Sequence, residues 1–98
     1  LELHEELCDI LGSRNVYFQP PASVIIQYDA IVYSLTTPNL VRANDGIYLK
    51  TNQYDGIYIT HDPDSAIPDV ILYHFPMCSV GEPYIADNLN HFPFTIYY

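Results

Sequence analysis

The chain reads as an α+β fold, a mixed and mainly antiparallel β-sheet covered by two short α-helices. Three observations predict it. Apolar residues recur at helical spacing near the N-terminus and again after the Asp62-Pro63-Asp64-Ser65 stretch. β-branched and aromatic runs fill much of the remainder, and Gly, Pro, Asn and Asp break them into short strands. One sheet with both helices on one face is the simplest layering that buries these segments.

Leu3, Leu7, Cys8 and Leu11 share a helical face opposite Glu2, Glu5, Glu6 and Asp9, and Gly12 can turn left-handed where that helix ends. Val16-Tyr17-Phe18 is then a short strand that runs into the rigid corner of Pro20-Pro21. An extended edge segment from Ser23 leads to a strand over Ala30–Thr36. Thr37-Pro38-Asn39 breaks the chain and Asn44-Asp45-Gly46 signals a turn. Strands are expected over Ile47–Thr51 and Gly56–Thr60, with Asn52–Asp55 as the turn between them. Asp-Gly-Ile-Tyr occurs at both 45–48 and 55–58, which is too short a repeat for a solenoid and reads as a meander with equivalent strand starts.

The second helix is expected in HDPDSAIPDVILYHF, where Asp62, Asp64 and Ser65 can cap exposed amides and Pro68 fits the first turn. Ile67, Val70 and Ile71 should form its buried face, and Pro76 stops it. Cys78–Val80 and Tyr84–Ala86 follow, separated by a Gly81-Glu82-Pro83 turn. Asp87–His91 reads as a polar loop, and Phe92–Tyr98 as a closing strand with Pro93 near its start or on an edge.

Ninety-eight residues suffice for one domain, residues 1–98. With 49% hydrophobic and 15% charged residues the chain has the apolar surface to fold. Three basic against twelve acidic residues give a net charge of −9, which repels phosphates and anionic lipid, so sequence-specific nucleic acid binding is not expected. A channel through which DNA slides without sticking is compatible with that balance, but an acidic surface as the ordinary solubility device of a small protein accounts for it better. Neither an apolar run of about 18 residues nor a basic-then-apolar leader is present, so no membrane span or secretion signal is expected. The chain begins at Leu1, from which a short missing N-terminal piece is expected. Cys8 and Cys78 are expected as buried reduced thiols.

No catalytic, metal or cofactor site is expected. His4 and Cys8 lie one helical turn apart, but closely spaced Cys or His pairs do not repeat as a zinc site requires. Asp62 and Asp64 resemble the start of a calcium loop, without its glycine and distal glutamate, so helix capping accounts for them better. The serines lie in no nucleophile motif and the four glycines are scattered singly, so neither a hydrolase nor a phosphate loop is indicated. Asn88-Leu89-Asn90-His91 offers donors and acceptors, which local turn chemistry explains. NVYFQP is superficially like a protease tag, but the upstream glutamate is absent and proline follows Gln19. Ten tyrosines without tryptophan are the compositional outlier, and they cannot all satisfy their hydroxyls within one small core.

VYFQPP at 16–21, YDAIVYSL at 28–35, DPDS at 62–65 and NLNH at 88–91 leading into FPFTIYY together resemble phage tail-completion or tail-terminator proteins. The chain departs from that pattern at Tyr28-Asp29, where the family usually reads Tyr-Pro, and in carrying fewer basic residues on the central strands. The resemblance implies a structural virion protein of the phage neck or tail, assembled in the host cytoplasm. It implies a homo-hexameric ring on the last ring of tail tube protein, which stops polymerisation and presents a surface to the head-closure or connector protein, with phage DNA passing through. A head-closure or adaptor ring, and a small acidic phage protein that binds a host partner, are the alternatives. The surplus tyrosines and the acidic turns suggest Tyr28, Asp45, Tyr48, Tyr54, Asp55 and Tyr58 as the subunit or tube interface.

Overall fold

The computed structural model of the protein describes residues 2–36 and 52–98. The expected break at Thr37-Pro38-Asn39, the Asn44–Gly46 turn and the Ile47–Thr51 strand, with Asp45 and Tyr48, lie outside the described residues. The described elements are α1 (Glu2–Leu11), β1 (Val16–Phe18), β2 (Ala30–Thr36), β3 (Gln53–Thr60), α2 (Ile67–His74), β4 (Cys78–Val80), β5 (Tyr84–Ala86) and β6 (Leu89–Tyr97). The sheet runs β1-β2-β3-β6-β4, and β5 pairs with β6 beside β4. Only β1–β2 is parallel among the described pairs, so the predicted α+β class holds.

Register sorts the side chains into two faces, because alternate strand residues point opposite ways. Ile31, Tyr33 and Leu35 lie opposite Tyr58, Gly56 and Tyr54, and those three lie opposite Phe92, Phe94 and Ile96. Leu3, Leu7 and Cys8 of α1, Ile71 of α2 and Phe75 just after it join that set in one buried cluster. Both helices therefore cover the same face. Full burial of Ile71 is worth about 1.5–3 kcal/mol relative to exposure.

Local chemistry sets the boundaries. Gly12 ends α1 at φ 82°, donating its N–H to Cys8 O at 2.8 Å. Gln19 stands where β1 turns away, at φ 45°. Its N–H bonds Tyr33 O at 2.9 Å and its Oε1 accepts the Leu35 N–H at 3.0 Å, so one residue completes two rungs before the proline corner. Ser65 Oγ accepts the Ile67 N–H at 3.2 Å at the start of α2, while Asp62 Oδ1 accepts the Asp64 N–H in the turn before it. Asp64 itself caps nothing in the helix, whose N-cap is Ala66.

Four expectations need correction. Asn52–Asp55 is not a turn, since β3 already begins at Gln53, and Tyr54 sits between Leu35 and Ile96 with a strand on either side. Asp87–His91 is not a loop: Asp87 and Asn88 form a two-residue hairpin turn at φ 53° and 65°, and β6 starts at Leu89. Val70 is exposed, because the stripe Ile67, Ile71 and Phe75 faces the core and leaves Val70 on the flank. Pro93 lies mid-strand between two neighbours. Its carbonyl accepts the Gly81 N–H at 3.0 Å on the β4–β5 side, so the missing N–H falls in the gap between β4 and β5 and spares the β3 ladder.

At Gly56 the sheet is closed over by its neighbours. A Cβ built there would meet the Phe94 ring at 2.4 and 2.7 Å and Tyr33 Cβ at 3.0 Å. Phe94 is only 4% exposed and packs within the buried cluster. Gly56→Ala should therefore cost about 1–3 kcal/mol in urea unfolding through overpacking. Adding Phe94→Leu should recover part of that loss, whereas strictly additive losses would contradict the steric explanation.

Candidate functional site

The face of the sheet opposite the helices carries Val32, Ser34 and Thr36 from β2, Asp55 and Ile57 from β3, and Pro93 and Thr95 from β6. With Gln19 and Pro20 at one side and Ser79 and Gly81 at the other, all of these but Thr36 line a broad depression of about 570 Å³. Asp55 is its carboxylate. Thr36 Oγ1 donates to it at 2.6 Å, Thr95 Oγ1 at 2.9 Å and Gln53 Nε2 at 3.3 Å, which joins β2, β3 and β6 across the sheet. The Thr36 bond, helped by Thr95 and Gln53, holds the Asp55 carboxyl below the usual carboxylate range despite partial burial. A carboxylate engaged by three donors binds neighbouring strands; it is poorly placed to take a proton from a substrate.

The remaining polar side chains are similarly engaged and dispersed. His4 bonds the Tyr33 hydroxyl at 2.9 Å, and burial pushes that phenol up to about 12. His74 Nε2 and the Tyr98 hydroxyl both meet the Glu6 carboxylate, joining α2 and the end of the chain to α1; Tyr98 and then His74 hold that carboxyl below its ordinary range. Asp29 accepts from Thr60 Oγ1 at 2.7 Å and from the His61 N–H at 3.1 Å. His91 stacks on Tyr84 with ring centroids 4.8 Å apart. The four histidines thus occupy four separate places, and among the described residues no group of three metal-ligating side chains converges. Cys8 is buried and Cys78 half-buried, both as free thiols that burial shifts upward. No described helix is long and apolar enough to cross a membrane.

Of the six residues expected at an interface, the four described ones are not brought together. Tyr54 and Tyr58 are core residues at 8% and 2% exposure. Tyr54 packs against Tyr33, and Tyr58 stacks on Phe92 while its hydroxyl meets Ser65 Oγ at 2.9 Å. Their surface is used inside the subunit because they stand on the helix-covered face of a central strand. Asp55 lies on the opposite face and Tyr28 is exposed on the segment before β2. Asp45 and Tyr48 lie outside the described residues.

Most exposed apolar side chains among the described residues lie toward the two ends of the strand order: Phe18, Val24, Ile25 and Tyr28 near β1, and Val70, Tyr73, Met77, Val80, Tyr84 and Ile85 on or beside α2, β4 and β5, while Leu35 and Tyr97 are exposed on β2 and β6.

No family model matches the chain, and no curated protein and no solved structure matches it.

A carboxyl whose pKa falls on folding stabilises the folded chain above its unfolded pKa, and that contribution is lost as pH drops through the folded value. Asp55→Asn should therefore lower the urea midpoint at neutral pH, and the gap to the parent should narrow below about pH 4. A gap of constant size across that range would show that the carboxylate charge contributes nothing.

Proposed function

We propose that the chain is a structural subunit of a phage particle, a tail terminator that closes the head-side end of the tail tube as a hexameric ring. The observation that carries the proposal is the joint occurrence, in order, of the VYFQPP, YDAIVYSL, DPDS and NLNH segments that resemble tail-completion proteins. Their local structures give the resemblance a physical basis: a strand entering a proline corner, a long strand beside it, the entrance to a helix, and a hairpin feeding the closing strand. A net charge of −9 suits a subunit past which DNA must slide, because a phosphate backbone gains nothing by binding it. The tail tube protein and the head-closure or connector protein are the proposed neighbours.

Purified chain added to polymerising tail tube protein should arrest growth and be found at one end of each tube. Unchanged tube growth with no bound chain contradicts a terminator role. In that case binding to the connector alone indicates a head-closure ring, and absence from purified particles indicates a host-directed protein.

A further inference from the structure

The described residues do not fill the helix-covered face of the sheet everywhere. Between the start of α2 and the strands lies a cavity of about 260 Å³, on the opposite face from Asp55. Tyr58, Phe92 and Phe94 form its floor, Pro68 and Ile71 of α2 one wall, and Val80 and Pro83 the other. Register explains the composition of that floor. Tyr58 stands opposite Phe92 and Val80 opposite Phe94, so these side chains share the helix side. α2 packs Ile71 into the core but is only eight residues long, and β4 ends at Val80, so a gap remains over the half-buried Phe92.

The lining is apolar apart from one charge. The Tyr58 hydroxyl and Ser65 Oγ satisfy each other at 2.9 Å, and Asp69 is the only lining residue charged at neutral pH. Asp69 is exposed, and among the described residues no hydrogen bond or ion pair engages its carboxylate. An apolar cavity of about 150 Å³ accepts one benzene ring. The larger space here therefore has room for a ring and a short arm reaching the carboxylate. Charge complementarity sets the sign of that arm: an anion meets both Asp69 and a net charge of −9, whereas a cation is attracted by both.

We propose that this cavity binds a small apolar amine, with its apolar body over Phe92 between α2 and β4 and its ammonium group at Asp69. The site goes beyond the ring reading and does not rest on it. Asp69 also lies in the first turn of α2, where a carboxylate suits the helix dipole, so binding and not stability is the decisive readout.

Benzylamine, benzyl alcohol and benzoate have one ring and three different charges. Titrating each into the purified chain at low salt, with the ring signals of Tyr58 and Phe92 followed by NMR, tests the proposal. Benzylamine should shift both sets of signals with a Kd of about 1 mM or tighter. It should bind about threefold or more tighter than benzyl alcohol, and benzoate should bind most weakly. Asp69→Asn should remove the preference for benzylamine while leaving benzyl alcohol binding unchanged. Val80→Phe puts a second ring into the space from a half-exposed position and should abolish binding of both probes, with an unchanged unfolding midpoint as the check that it folds. Unmoved Tyr58 and Phe92 signals, equal binding of the three probes, or an undiminished preference for benzylamine in Asp69→Asn overturns the site. Arrest of tube growth is a separate measurement, and neither result here alters it.

Discussion

Phe94 lies across Gly56, and the sheet is organised around that contact. β3 and β6 pair over eight residues, from Gln53 opposite Tyr97 to Thr60 opposite Asn90, and Gly56 faces Phe94 on one side and Tyr33 on the other. The missing side chain lets the Phe94 ring occupy the middle of the helix-covered face, where it joins the cluster containing Leu3, Leu7, Ile71 and Phe75. A larger residue at 56 would push β6 and β2 away from β3 together. On the opposite face the same three strands are joined by Asp55, Thr36 and Thr95, so one register is specified twice, by packing on one side and hydrogen bonding on the other. Helix placement follows from this fixed centre.

Much of the architecture was legible in the sequence where one physical signal dominated. The apolar spacing of Leu3, Leu7 and Leu11 with Gly12 behind it gave α1, and the β-branched Ala30–Thr36 run gave β2 with the observed bounds. The misreadings have a shared cause, which is tertiary pairing overriding local turn chemistry. Asn52-Gln53-Tyr54-Asp55 has turn composition, yet Asp55 bonds Thr36 and Thr95 across strands, Gln53 bonds Asp55 along β3, and Tyr54 fills core. Asn90 and His91 look like loop residues, yet Asn90 Nδ2 bonds Thr60 O at 3.3 Å and His91 stacks on Tyr84. Pro93 argued for an edge, and only the gap between β4 and β5 makes it acceptable inside the sheet.

The expected interface was less legible, because residue type alone does not say which face of a strand a side chain occupies. Tyr54 and Tyr58 are as amphipathic as Tyr28, but register turns them inward while Tyr28 remains exposed. Tyrosine abundance therefore reflects core construction as much as adhesion: Tyr33, Tyr54 and Tyr58 are buried, with Tyr33 bonded to His4 and Tyr58 to Ser65.

A particle of this kind needs a subunit that repels DNA, tolerates close copies of itself and ends a growing tube. The acidic balance suits the first requirement, and the segments that resemble tail-completion proteins motivate the third. Cryo-EM reconstruction of the neck of intact particles, with the chain located by its six-stranded sheet, is the most direct measurement of the proposed role. It is predicted to reveal a closed ring of this chain at the head-side end of the tube. Particles whose neck lacks the chain altogether would contradict it.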